Sequence, residues 1–453
     1  MLNNFIYAKA KSLFEEKLSA GEVLDEAIVF IEDTKEIWNH GTYFASLEEV
    51  TAQFANIQLD ITELQNAIAD IQNSLLERNL GSVDSGFIEV EEPIIPKSCS
   101  VTFVDSDGST TLAGEGNTSW IKGKRCLVKK TDTGVAICYL DDNNSQLFYD
   151  GVTAASLDGS MGQWMTDIPE YYFKMDESTS GAHILNLSNV SKADYKQSRR
   201  VLLGVTKGVN VNGKLWSRKT GSEQSTGNLT STVFHNYANA VGTGFDIIDY
   251  EAHCKIAHLF YAKYLNRDPQ TMDKFGYGEA SNTRTIGTTS SLGNNDGKTS
   301  TQISFLGIED FYGEKGEWMG GVNGYGGTYY IYDGYQPNQV PTVPYRTVYC
   351  GFDSAKAGWI TNLVWGEYAD IIPTELAGSN SVHYCDYSNI AQSSWRVIYR
   401  SGNGGDAYSG VAMFNGFSTS SAVSKKTGSR LLYRGDIQVI DDPAEFIALP
   451  INM

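Results

Sequence analysis

Between Leu47 and Leu75 the apolar residues recur in steps that alternate between three and four: Leu47, Val50, Phe54, Ile57 and Ile61, then Leu64, Ile68, Ile71 and Leu75. Two apolar positions in seven, kept over four repeats, predict a coiled coil rather than a helix packed on a domain. Isoleucine stands at both core positions, Ile61 and Ile68 at one and Ile57 and Ile71 at the other, which favours three or four strands over two. Gln53, Gln58, Gln65 and Gln72 flank the stripe where charged pairs would otherwise select a partner. The expectation is a parallel homotrimeric stalk over residues 44–80, a rod of roughly 45 Å at about 1.5 Å per residue. Ahead of it, "IVFI" and "EIW" bracket "EDTK", a hairpin signal within residues 1–43.

After Leu80 the period changes. "GFIEVEEPIIP", "SVTFVD", "CLVKK" and "VAICYLDD" are short runs rich in Val and Ile, separated by "SDGS", "GEGN" and "TDTG". They predict strands and turns, and a small β module at 81–150. From Gly151 to Met453 the chain reads as one large domain. Ile247–Asp268 is its best helix, with Ile256, Phe260 and Tyr264 on one face beside Ala257 and Tyr261, and with Asp249 as N-cap. "TSTVFHNYANAVG" is a weaker helix, and Ser393–Arg400 and Ser429–Gly435 are the clearest strands. Two helices followed by long loops and short strands predict an α+β domain.

The bulk composition narrows the partners. The 453 residues carry a net charge of -19, which repels phosphate backbones and disfavours nucleic acid. No run of about 20 apolar residues exists, so no membrane insertion is expected, and the N-terminus lacks the basic start and apolar core of a secretory signal. Six scattered cysteines form no CxxC pair and read as small buried residues, so neither zinc nor a disulfide framework is indicated. "DSDG" at Asp105–Gly108 lacks the later ligands of a calcium loop and reads as a turn. His235, His253 and His258 read as surface or partly buried, without an accompanying catalytic motif. The adjacent pairs Glu309/Asp310 and Asp141/Asp142 are expected to diverge, unlike the facing carboxylates of a glycosidase. No catalytic residue, metal or cofactor is expected.

Five stretches, "LVKK…ICYLDDNNSQLFYDG", "GQWMTDIPEYYFK", "DYEAHCKIAHLFYAKYLNRD", "GIEDFYGEKGEWMGG" and "SRLLYRGDI", resemble in that order fibre and tail proteins of phages of gut bacteria, the crAss-like group among them. The resemblance covers most of residues 120–440. It implies a C-terminal C-type-lectin-like fold that displays a receptor-binding surface. It also implies an N-terminal segment anchored to other virion proteins, and hence a place on the virion. "GEW" and "GSRL" are also similar to the formylglycine-generating oxidase, which relies on two cysteines near its C-terminus. Here no Cys follows Cys385, and Cys350 and Cys385 lie outside the matching stretch. The thiolate that is both soft-metal ligand and nucleophile is therefore missing there. Trp318 is then expected in the core, with Glu317 accepting backbone N–H groups from the glycine loops around it. "GYQPNQ" at Gly334–Gln339 lacks the second half of a lectin sugar site and reads as a loop.

The last hundred residues are dense in Tyr, Ser, Asn and Gly, the composition of adaptable binding surfaces with rigid aromatic anchors. Tyr387, Asn389, Trp395 and Asn403, with Asp406, Tyr408 and Asn415, are the candidate ligand contacts; Tyr330 reads as part of a separate Tyr-rich loop. The expected function is a trimeric phage fibre that binds a host surface glycan or protein receptor. The alternatives are a decoration fibre that binds only virion proteins and an enzyme that degrades polysaccharide.

Overall fold

The computed structural model describes backbone pairing for residues 5–8, 28–31, 36–39 and 42–44, and full detail for 95–104, 111–276, 284–336, 340–352, 354–391, 394–402 and 408–452. The chain divides into two compact units, Met1–Glu91 and Glu92–Met453. In the first, Phe5–Ala8 pairs in parallel with Ile28–Ile31, which pairs antiparallel with Glu36–Asn39, and Thr42–Phe44 closes a four-stranded sheet. The hairpin signalled by "IVFI" and "EIW" is the centre of that sheet. The stripe from Leu47 to Leu75 and the turn at Asp105–Gly108 lie outside the described residues.

The second unit corrects the fold class. Among the described residues the chain has thirty-one strands against three α-helices: α1, Ser231–Asn239; α2, Tyr250–Tyr264; and α3, Pro443–Ala448. Among the described residues the protein is mostly β, not the expected α+β, C-type-lectin-like domain. Many of its strands are two to four residues long, too short for a period of two to be read from the sequence.

The described part of the stretch expected to form its own module, residues 95–104 and 111–150, pairs with strands of the second unit. Ser98–Phe103 pairs with His183–Ser188, and Lys124–Lys130 pairs with Gln163–Ile168. The latter two belong to a seven-stranded sheet that also holds Phe245–Ile247, Leu431–Tyr433 and Val201–Gly204 on one side, and Val135–Tyr139 and Ile437–Val439 on the other. Gln163–Ile168 is buried throughout, so the side chains of Gln163 and Thr166 find partners inside. Ser217 donates its backbone N–H to Gln163 (2.8 Å), and Thr166 donates to the Leu306 carbonyl (2.7 Å).

Helix α2 anchors the largest core. Asp249 caps it by accepting from the Ala252 N–H at 2.7 Å, which satisfies an otherwise orphaned donor. Its Phe260 ring is ringed by Tyr264, Phe275, Phe305 and Phe311 at centroid distances of 5.2–5.8 Å. Burying one such side chain contributes about 1.5–3 kcal/mol. His253 and His258, on the same helix, are buried rather than exposed.

A six-stranded sheet positions the candidate site. Its order is Tyr345–Tyr349, Thr328–Tyr332, Gly316–Tyr325, Arg396–Arg400 and Phe414–Asn415, with Thr427–Gly428 beside the start of Gly316–Tyr325. Gly316–Tyr325 is buried at every position but its last. Tyr387–Ile390 continues the layer: Gly416 donates to the Asn389 carbonyl (2.9 Å), and Ala391 donates back to the Gly416 carbonyl (3.2 Å).

Candidate functional site

At the outer end of the long strand the chain reverses through Gly326 and Gly327, with φ of +56° and +77°. Two consecutive positive φ values are the signature of a tight hairpin that glycine adopts without strain. The turn sets Tyr325 opposite Thr328 and Asn323 opposite Tyr330. One strand further out, Tyr330 faces Thr347 and Tyr332 faces Tyr345. On the other flank Gly324 pairs with Arg396, which brings the preceding residue, Trp395, alongside.

These registers assemble a row of rings. Tyr345 lies 5.6 Å from Tyr330, Tyr330 lies 5.1 Å from Trp395, and Trp395 stacks on Tyr325 at 5.0 Å with the planes 20° apart. Tyr325 and Tyr345 at the two ends are 46% and 44% exposed; Tyr330 and Trp395 between them are half-buried. Tyr330 is thus a strand residue of the same row as Trp395, not part of a separate loop.

A second ring group sits where Lys356–Trp359 pairs with Tyr387–Ile390. Trp359 lies opposite Tyr387. Its ring is 5.5 Å from Tyr387, edge to face, and 5.2 Å from Tyr408, stacked. Tyr387 and Tyr408 meet at 4.9 Å. Asn389 follows Tyr387 by two residues and shares its side of the strand.

The structure therefore brings Tyr387, Asn389 and Tyr408 together and places Trp395 in the other group. Asn415 is buried, accepting from the Phe417 N–H at 3.1 Å, so it is part of the frame. Asn403 and Asp406 lie outside the described residues, as do Pro337 and Asn338. Trp359, Tyr325 and Tyr345 escaped the sequence reading. The alternation in "TYYIY" signals a strand, but only cross-strand register joins these rings.

Between the sheet edge and α2 opens a cleft of about 460 Å³, and Tyr345 lines it as well as ending the row. Its polar groups are held in pairs. Arg346 forks onto Asp370, which also accepts from the Tyr250 hydroxyl at 2.7 Å. The Arg346 guanidinium lies 4.1 Å above the Tyr368 ring. Arg199 bridges Glu251 (2.7 Å) and Asp333 (2.8 Å). His258 holds Tyr171: its Nε2 sits 2.7 Å from the Ala369 carbonyl and its Nδ1 2.8 Å from the Tyr171 hydroxyl. A carbonyl can only accept, so Nε2 carries the proton and Nδ1 accepts from Tyr171. Burial pushes the His258 imidazole down to about 4, in keeping with a neutral ring.

Glu317 does not bind backbone N–H groups. Its buried carboxylate meets Lys207 (3.0 Å), Arg400 (2.5 Å) and Arg430 (2.8 Å). Burial pushes the carboxyl up, but Arg430, Lys207 and Arg400 together outweigh it and hold the group below the usual carboxylate range. Trp318 is in the core, its indole N–H donating to the Leu229 carbonyl at 3.2 Å. Nor do Glu309 and Asp310 diverge: both are buried, and the Gln302 amide reaches each at 3.0 Å.

All six cysteines are free and buried; burial pushes the Cys254 thiol, at the cleft, up to about 12. Among the described residues no three His, Cys, Asp or Glu side chains gather as metal ligands, and no helix is long and apolar enough to cross a membrane. No family model matches the chain, and no curated protein matches it.

Proposed function

We propose that this protein is a surface fibre component of a bacterial virus and that its second unit attaches to a host surface glycan by stacking sugars on aromatic rings. The observation that carries this reading is the row Tyr345–Tyr330–Trp395–Tyr325, whose ends are exposed. Aromatic faces bury the apolar side of a sugar ring while hydroxyls at its rim stay in reach of polar side chains. Rings fixed by strand register lose little entropy when they bind. The ordered resemblance to phage fibre proteins supports the virion setting, with the first unit meeting other virion proteins. Binding rather than turnover is favoured by the cleft, whose carboxylates are tied to arginine or tyrosine partners.

The test is attachment of the full chain to host cells, with purified surface polysaccharide as competitor. Saturable attachment that the polysaccharide displaces supports the reading. Docking onto virus particles without attachment to cells makes it a decoration fibre. Shortening of the polysaccharide makes it an enzyme.

A further inference from the structure

We propose that the cleft beside the aromatic row is a subsite for a single neutral sugar residue, and that it rejects sugars bearing a negative charge. The inference rests on the glycan reading above and extends it from the flat row to a concave end. Its size is within the range of small-ligand pockets, and its walls combine Tyr171, Tyr250, Tyr332, Tyr345 and Tyr368 with Phe173. A purely apolar ligand would strip water from the paired ions at the rim without replacing its hydrogen bonds. A ligand with apolar faces and a belt of hydroxyls meets both kinds of surface.

Charge decides between sugar classes. The cleft is lined by Asp249, Glu251, Asp333 and Asp370 against Arg199 and Arg346. Arg346 is paired with Asp370, and Arg199 is shared between two carboxylates. Among the described residues, the cleft's two arginines are thus outnumbered by its four carboxylates, which disfavours an incoming carboxylate or phosphate, and the whole chain is at -19. Asp333 retains the most freedom: its side chain is 81% exposed with Arg199 as the partner that orients it. Vicinal hydroxyls of a sugar can donate to its carboxylate. Because Tyr345 belongs to both surfaces, a chain lying along the row would run its end or a branch into the cleft.

The experiment is saturation-transfer NMR on the full chain with glucose, galactose, mannose, N-acetylglucosamine and glucuronic acid as separate probes. At least one neutral sugar should receive transfer, and glucuronic acid should not. Asp333→Asn should weaken that sugar about tenfold or more with an unchanged melting temperature, because the side chain is exposed. Tyr345→Ala should weaken both the monosaccharide and the polysaccharide, and Trp395→Ala only the polysaccharide. Transfer to glucuronic acid equal to that of the neutral sugars overturns the proposal, as does a neutral signal unchanged in Asp333→Asn. If no monosaccharide binds while polysaccharide binding persists and depends on Trp395, the subsite is refuted and the row stands. If polysaccharide binding is absent too, the glycan reading itself fails.

Discussion

Trp395 stacks on Tyr325 with ring centroids 5.0 Å apart, although seventy residues separate them in sequence. The contact exists because Gly324 pairs with Arg396 across two strands. A sugar stacked on this pair would change the surroundings of a half-buried indole. Tryptophan emission should therefore shift on adding host polysaccharide, and the shift should vanish in Trp395→Phe while the other tryptophans still report a folded protein. An equal shift in that variant would move the contact elsewhere, with Trp359 beside Tyr387 and Tyr408 the next place to look.

The hairpin turn should be sensitive at one glycine and tolerant at its neighbour. A Cβ on Gly327 would come within 2.6 Å of the Phe352 carbonyl oxygen, whereas one on Gly326 meets open space. Gly327→Val should disorder the row and lower both melting temperature and binding. Gly326→Asn should be nearly silent, since Asn adopts the left-handed conformation more readily than other side chains. Thermal melts of the two variants check this directly.

Glu317 balances three buried cations, Lys207, Arg400 and Arg430. Glu317→Gln leaves Lys207, Arg400 and Arg430 buried around a neutral amide. Removing one partner of a buried ion cluster costs about 3–5 kcal/mol. Urea denaturation should register a loss of that size, and a loss below about 1 kcal/mol would show that the cations find other partners.

His258 contributes stability that is lost in mild acid. Burial pushes its imidazole down to about 4 from the ordinary value of 6.5. The unfolded chain therefore takes up a proton between those values that the folded chain refuses. The contribution is fully present above pH 6.5 and is lost as pH falls from about 6.5 to about 4, by roughly 3 kcal/mol at most. His258→Gln, which does not titrate, should have a flatter profile in that window. Lys255 is also buried, which pushes it down to about 7, so its contribution grows only above pH 7. Buried His253 acts in the same direction as His258 in acid, and buried Asp310, pushed up to about 7, in the opposite one. The His258 contribution is therefore read as the difference between wild type and His258→Gln. Parallel profiles for wild type and His258→Gln would contradict the assignment.

Part of this architecture was legible in the sequence. Asp249 reads as a helix cap and acts as one, and runs such as "CLVKK" and "VAICY" read as strands because their Val and Ile content is high. The longest strand, Gly316–Tyr325, was not legible: it is buried along nearly its whole length, so no alternation marks it. Its register also slips between Met319 and Asn323. Two visible helices outweighed many strands too short to show a period, which is how an α+β reading arose. Glu309 and Asp310 defeat the expectation for adjacent side chains because Asp310 sits at φ +47°, a left-handed kink that lets both carboxylates reach Gln302. The aromatic row was half visible, as tyrosine content; its membership depends on pairings between residues far apart in the chain.

The most direct measurement of the central claim is the affinity of the full chain for immobilised host surface polysaccharide, compared between wild type and Trp395→Ala. The account predicts that the variant binds about tenfold or more weakly, a loss of roughly 1.4 kcal/mol or more, with its melting temperature within a few degrees of wild type. An unchanged affinity in a folded Trp395→Ala variant would contradict it.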